Sequence, residues 1–236
     1  SAGKIKYTMG AAESTLSEPC TVNTRTPINL PHELSVQQDT AASPFITFIY
    51  GKSSHSFKIH KPPDTNFTAL KLQTDDTANP SVKYDNKLYH LRSLHIKVPS
   101  EHSFGSTQYP MELQLHHATE EGEHLSVAFM IKVADCRGSQ HLERKDMLRQ
   151  LLQDVQTESQ AEVRLGGLIS KTHTGFYFYE GSVQKSRHCY QNRWIVFSRP
   201  IGMPQEAISD YVDSLLGGTA PPPARQHHPM EHQPVL

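Results

Sequence analysis

The chain has 236 residues and a formal net charge of −1 at pH 7. This balance argues against a general nucleic-acid or polyanion binder. The longest apolar segments fall well short of the ~20 residues of a membrane-spanning helix, so we expect a soluble protein with no transmembrane segment. A chain of this length can build one domain with a sizeable core, and no second domain is required.

The N-terminal residues 1–25 are small and polar with little periodicity, and we expect them to form an extended arm. The remainder, 26–236, is predicted to be one domain. Its first strand-like segments are Phe45–Tyr50, Ser56–His60 and Thr68–Gln73, which are rich in β-branched and aromatic residues or alternate in polarity.

Two longer strands are predicted in the middle of the chain. In the segment Leu88–Val98, side chains are expected to alternate between the two faces of the strand. One face carries Leu91, Ser93, His95 and Lys97, and the other carries the apolar residues Leu94, Ile96 and Val98. The segment Leu125–Val133 is almost continuously apolar, which is typical of a strand buried on both faces.

Two amphipathic helices are predicted, at His141–Thr157 and at Pro204–Leu216, because their apolar residues recur with helical spacing. The proline-rich segment 219–236 is expected to be extended near its start. Many strands with few helices and no strand–helix–strand alternation predict an α+β fold. We expect one large twisted, mainly antiparallel β-sheet with peripheral helices.

Four sequence segments carry a family resemblance. Residues 94–102 read Leu-His-Ile-Lys-Val-Pro-Ser-Glu-His, and residues 109–117 read Tyr-Pro-Met-Glu-Leu-Gln-Leu-His-His. They resemble the central strand pair of α-class carbonic anhydrases, Phe-His-Phe-His-Trp-Gly-Ser-Glu-His and Tyr-Ala-Ala-Glu-Leu-His-Leu-Val-His. Residues 176–182 and 194–197 are similar to two further segments of that family. The resemblance implies the α-carbonic anhydrase fold for 26–236, including the segment 219–236.

The same resemblance implies that the zinc site is degenerate. The family holds zinc with three histidines, and the matching positions here are His95, Lys97 and Gln114. A charged ammonium has no lone pair, and an amide oxygen is a poor zinc ligand. We therefore expect no cofactor and no catalytic residues, and His95 is the residual candidate ligand. Enzymatic activity of this chain is disfavoured.

Most of the other site positions also differ from the family pattern. Glu101 keeps the place of the family's buried glutamate, while Gln184 replaces its threonine, and His55 lies at the place of the proton-shuttle histidine. His116 and Asn192 stand where the family has an apolar wall. We do not expect His102, His116 or His117 to replace a lost ligand, since His116 is predicted to face away from His95.

Lys97 is expected to fill the cleft as the partner of a carboxylate. The hypothesis is an ion pair of Lys97 with Glu101 or with Glu112, which would take the place of the metal.

Three functions remain open. The first is a catalytically inactive carbonic anhydrase-like protein, a carbonic anhydrase-related member, that acts as a binding or structural subunit of a larger complex. The second is an active or residual metal-dependent carbonic anhydrase that hydrates carbon dioxide with a rearranged zinc site. The third is binding of an anion or a sulfated glycan by Lys97, Lys185 and Arg187. For Lys185 and Arg187, however, a solvated loop without a binding role is the favoured interpretation.

The resemblance also implies a possible disulfide between Cys20 and Cys189, with two ordinary thiols as the alternative. A bridge would place the protein in an oxidising compartment, either secreted, at the cell surface or in an organelle lumen. Protein partners are expected, and a homo-oligomer is possible. Composition explains most of the histidines, and any metal bound by His227, His228 and His232 near the C-terminus would be adventitious.

Overall fold

The structure is a computed structural model that describes residues 28–31, 46–63, 65–73, 79–134, 142–169, 175–185 and 188–217. For residues 182–185 and 188–190 only the backbone is described. The predicted N-terminal arm, the segment 219–236, Cys20 and Arg187 lie outside these ranges.

The described residues form strands, two α-helices and one short 3-10 helix, Leu165–Gly167. The strands are β1 Asn29–Leu30, β2 Thr47–Ile49, β3 His55–His60, β4 Phe67–Leu72, β5 Ser81–Tyr84, β6 Lys87–Lys97, β7 Ser103–Phe104, β8 Thr107–Gln108, β9 Met111–Ala118, β10 His124–Val133, β11 Gln160–Val163, β12 Phe176–Lys185 and β13 His188–Met203. The helices are α1 Leu142–Thr157 and α2 Gln205–Leu216.

One ten-stranded sheet dominates the fold. Its main path runs β11-β3-β4-β6-β9-β10-β13-β12, and β5 and β2 extend it beside the first half of β6. Strands β10 and β13 are parallel, and the other recorded neighbours in this sheet are antiparallel. A separate small sheet has the order β1-β7-β8. The predicted α+β class, with a mainly antiparallel sheet and peripheral helices, is confirmed.

The two faces of the large sheet bury different cores. One face packs against α1 and α2 and holds the larger core, which includes Leu94, Leu115, Val127 and Ile195. The opposite face holds a smaller core of Ile28, Leu30, Phe104, Ala128, Met130, Tyr177, Tyr179, Trp194 and Val196. The candidate site lies on this second face, so the hydrogen-bonded strands of the large sheet position its residues.

A β-bulge changes the predicted faces of β6. The pairing of β6 with β9 shifts between Leu91 and Ser93, and the extra residue, Arg92, is exposed. A bulge reverses the alternation on one side of it. Leu91 is consequently buried in the larger core with Leu94, and its predicted place beside His95 was wrong. Beyond the bulge the predicted faces hold.

In the described part of the chain, no helix is both long enough and apolar enough to cross a membrane.

Candidate functional site

Strands β6 and β9 bring the candidate residues together. In their antiparallel register His95 lies opposite Gln114, and Lys97 lies opposite Glu112. Paired residues of adjacent strands point to the same face. The short segment after β6 then folds back over this face, which places Glu101 beside the strand pair.

Lys97 forms the central contact of the cleft. Its Nζ lies 3.2 Å from Glu101 Oε1, and the two side chains are 10% and 18% exposed. The same ammonium sits 4.1 Å from the ring centre of Phe67, a distance at which a cation is attracted to an aromatic face. The predicted ion pair of Lys97 is confirmed, and its partner is Glu101 rather than Glu112.

Gln114 ties the two carboxylates of the cleft together. Its Nε2 donates a hydrogen bond to Glu101 Oε2 at 3.0 Å and another to Glu112 Oε1 at 2.8 Å. Glu101 thus accepts from Gln114 while it pairs with Lys97. Lys97 and Gln114, which occupy two of the three predicted zinc-ligand positions, therefore both contact the Glu101 carboxylate.

Glu112 is completely buried and accepts four hydrogen bonds. Its Oε2 accepts the backbone N–H groups of Glu101 and His102, at 2.7 and 2.8 Å. Its Oε1 accepts from Gln114 and, at 2.7 Å, from His102 Nδ1. A buried carboxylate is stable only with such partners. Glu112 therefore supports the segment that carries Glu101.

His102 connects Glu112 to the smaller core. His102 Nδ1 lies 2.7 Å from Glu112 Oε1, and its Nε2 lies 2.6 Å from the Tyr179 hydroxyl oxygen. Burial raises the pKa of Tyr179 well above its usual value, and the nearby Glu112 and Glu101 raise it further. Tyr179 therefore stays protonated, and His102 links the Glu112 carboxylate to the Tyr179 hydroxyl.

His116 is placed differently from the prediction. Its ring lies edge-on to the His95 ring, with 4.4 Å between the centroids. His116 and Gln114 are two residues apart on β9 and so share a face, which makes the predicted orientation of His116 away from His95 wrong.

A hydrogen-bonded row continues from His116 across two further strands. His116 Nδ1 lies 2.8 Å from Ser126 Oγ, and Ser126 Oγ donates to Asn192 Oδ1 at 3.2 Å. His116 and Asn192 were candidate residues from sequence alone, but Ser126 was not, because it stands inside the apolar run of β10. The strand register, Ser126 opposite His116, is the signal that connects them.

His55 is not brought into this group. It begins β3 and pairs with Val163, and strand alternation places it on the side of Phe57, which belongs to the larger core. This is the face opposite to His95, so the predicted proton-shuttle place is not supported by the geometry.

The remaining predicted positions are described only in part. The backbone of Gln184 pairs with that of Cys189, and Lys185 pairs with His188. Because Cys20, Arg187 and the side chains of Lys185 and Cys189 lie outside the description, the Cys20–Cys189 disulfide and the three-residue basic site stay predictions.

Sequence comparison decides the family. The sequence model of the eukaryotic-type carbonic anhydrases matches residues 12–232, nearly the whole chain. The chain belongs to the eukaryotic-type carbonic anhydrase family. A comparison with curated proteins gave no significant match.

Solved structures of carbonic anhydrases share the fold. The Photobacterium profundum α-carbonic anhydrase aligns with a TM-score of 0.62 and 20% identity over 86% of this chain and 85% of its own. Carbonic anhydrase Cah3 from Chlamydomonas reinhardtii, solved with acetazolamide, gives 0.64 and 19% over 94% and 95%. Dioscorin, solved with ascorbate, gives 0.56 and 16% over 81% and 76%.

The donor set does not fit the zinc site of the carbonic anhydrase resemblance. Of the three positions, only His95 offers a nitrogen lone pair, whereas Lys97 presents an ammonium and Gln114 presents its N–H₂ group to carboxylates. A catalytic zinc centre needs three protein ligands and an open position. No three histidine, cysteine, aspartate or glutamate side chains of the described ranges are grouped so as to hold a metal ion.

Proposed function

We propose that this chain is a catalytically inactive carbonic anhydrase-like protein that acts as a binding or structural subunit of a larger assembly. The observation that carries the proposal is the 3.2 Å ion pair between Lys97 and Glu101. It puts a fixed positive charge, only 8% exposed, at a position where the family pattern has a zinc ligand.

The ion pair opposes metal binding in two ways. A buried ammonium repels a divalent cation, and the repulsion is stronger inside a protein than in water. Gln114 is also held, because both of its recorded hydrogen bonds run to the carboxylates of Glu101 and Glu112. Admitting zinc would require Lys97 to leave its partner, which would leave Glu101 with one compensating interaction fewer.

The rest of the domain supports a non-catalytic role. The large sheet, both cores and the Glu112–His102 support are kept. A framework that is maintained around a filled cleft is expected when the protein acts through its surface. Secretion, cell-surface display or residence in an organelle lumen belongs to the same proposal and depends on the predicted Cys20–Cys189 disulfide.

A second candidate is a metal-dependent carbonic anhydrase with a rearranged site. The observation in its favour is the contact between His95 and His116, which supplies two imidazoles in one part of the cleft. It requires a third ligand and the departure of Lys97, so the first candidate is preferred.

Carbon dioxide hydration measured by stopped flow separates the two candidates. We expect the purified protein to show only the background rate, with or without added zinc. The positive control is the double variant Lys97→His/Gln114→His, which restores the histidine pattern. Zinc-dependent hydration by the unaltered protein would overturn the proposal.

The assembly role needs a separate experiment. Gentle purification from the native source followed by native mass spectrometry is expected to give a stoichiometric complex. A protein recovered only as a free monomer would contradict the subunit role, whatever the result of the hydration assay.

A further inference from the structure

The chain contains one acceptor triplet for N-linked glycosylation, Asn66-Phe67-Thr68. The pattern is an asparagine followed two residues later by serine or threonine, with any residue except proline between them. The other asparagines do not satisfy it, and Asn79 fails only because Pro80 stands between it and Ser81. Such triplets also occur by chance, so the structural setting of Asn66 has to support the site.

The side chain of Asn66 is available for modification. Asn66 is half-buried directly before β4, and its backbone carbonyl accepts the Val98 N–H at 2.9 Å. Its side-chain amide makes no hydrogen bond with the described residues, and Nδ2 is not one of the unpartnered nitrogens buried there, so it reaches solvent. A bulky, solubilising group on this nitrogen can therefore extend away from the protein.

Asn66 lies on the side of the sheet that faces away from the cleft. Phe67 contacts Lys97 in the cleft, and strand alternation places its two neighbours, Asn66 and Thr68, on the opposite face. Thr68 accordingly contacts Tyr211 of α2. A glycan on Asn66 would thus be attached on the α2 side of the molecule, and the cleft would keep its access to solvent.

The hydroxyl that completes the triplet is accessible only before folding is complete. Thr68 is 0% exposed in the folded chain, where its Oγ1 accepts a hydrogen bond from the Tyr211 hydroxyl at 2.8 Å. Tyr211 comes 143 residues later in the sequence. Because a chain is synthesised from its N-terminus, Thr68 remains unburied by Tyr211 until most of the domain has been made.

We propose that Asn66 carries an N-linked glycan that is attached during synthesis, before Thr68 is buried against Tyr211. The donor is an oligosaccharide linked to a lipid pyrophosphate. A bond forms between Asn66 Nδ2 and the first sugar carbon, the bond from that carbon to the pyrophosphate oxygen breaks, and the amide loses one proton as the lipid pyrophosphate leaves. The modification rests on the secretory route in the proposed function and adds a site to it.

The acceptor site is tested in cultured eukaryotic cells that express the full chain behind a cleavable secretion signal. Peptide N-glycosidase converts a glycosylated asparagine to aspartate, which peptide mass spectrometry locates. We expect a glycan at Asn66 and none at Asn79. Asn66→Gln should lose it completely, whereas Thr68→Ser should keep it, because serine also completes the triplet.

Tyr211→Phe separates the acceptor role of Thr68 from its structural role. It removes the hydrogen bond to Thr68 but leaves the triplet intact, so we expect the same or a higher share of glycosylated chains. The matched control for Asn66→Gln is Asn79→Gln, which should leave the glycan unchanged.

The same digestion is applied to the protein purified from its native source. A glycan at Asn66 in both preparations supports the proposal. An unmodified chain from the secretory cells, or a glycan that persists in Asn66→Gln, would overturn the acceptor site whatever the native compartment is. A site that is used in these cells but empty in the native protein would overturn the modification and the secretory route. Neither result would change the proposed loss of catalysis, which the hydration assay tests separately.

Discussion

The Lys97 ammonium lies between a carboxylate and an aromatic ring, in a cleft that contains a second carboxylate, Glu112. Its contacts with Glu101 and Phe67 compensate a charge that is largely removed from water. A buried ion pair gives little net stability, but removal of one partner is costly because the other charge is left uncompensated. The stability of this group of residues therefore depends on the positive charge of Lys97.

Replacement of that charge is therefore expected to destabilise the fold. Lys97→Met should lower the free energy of unfolding by about 2–3 kcal/mol, below the range for fully buried pairs because both side chains keep some exposure. Urea unfolding measures the loss. The control is Lys87→Met, which removes the half-exposed partner of Glu123 and should cost less than about 1 kcal/mol.

The double variant Lys97→Met/Glu101→Gln completes the test. If the pair is coupled, the double variant loses less stability than the sum of the two single variants. Additive losses, or a Lys97→Met variant as stable as the original, would contradict the role given to Lys97.

Single residues also mark the limits of sequence reasoning. The partnership of Lys97 with a carboxylate was predictable, because only a few nearby carboxylates were available. Ser126 and Phe67 were missed, since each contacts its partner from another strand, and strand register is not visible in local sequence. The error for His116 was avoidable, because residues two apart on a strand share a face.

Individual strands and helices were predicted well where their sequence pattern is regular. Strands β3, β4, β6 and β10 and both helices begin and end within two residues of the predicted bounds. Alternation failed at Leu91, because the bulge at Arg92 inserts one residue into β6. Nothing in the local pattern reveals a bulge, which arises from the pairing with β9.

Strand β9 carries a second histidine, His117, on the face opposite to the cleft. His117 is buried in the larger core, with Nε2 3.1 Å from the Tyr50 hydroxyl and Nδ1 3.3 Å from the Leu125 carbonyl oxygen. Burial lowers the pKa of His117 to about 3. The ring is therefore neutral in the folded protein under ordinary conditions.

This neutral histidine predicts acid sensitivity. Below about pH 6.5 the unfolded chain takes up a proton at His117 that the folded chain does not bind, so stability falls as the pH falls towards 3. Between pH 7 and pH 5 the loss from this residue is about 2 kcal/mol. We expect His117→Gln to lose correspondingly less stability over this interval in urea unfolding.

The comparison has a matched control in His60→Gln, since His60 is an exposed strand residue and its replacement should leave the pH dependence nearly unchanged. An identical pH dependence in the original protein and in His117→Gln would contradict the assignment.

At the scale of the whole molecule, the fold followed from several family-like segments in the right order rather than from any one of them. The central strand pair and the Trp194 segment lie on adjacent parts of one sheet, so their order along the chain already specified the architecture.

The binding partners and the cellular compartment cannot be predicted from the order of such segments. They depend on surfaces whose complement lies in another molecule.

Zinc content shows directly whether Lys97 occupies the site in place of a metal. We would measure zinc per chain by elemental mass spectrometry on protein lacking the tail with His227, His228 and His232, after dialysis against zinc. We expect less than about 0.1 zinc per chain for this protein, because only one of the three ligands is present. We expect close to one for the Lys97→His/Gln114→His variant of the same length. Close to one zinc per chain in the unaltered protein would mean that Lys97 does not exclude the metal.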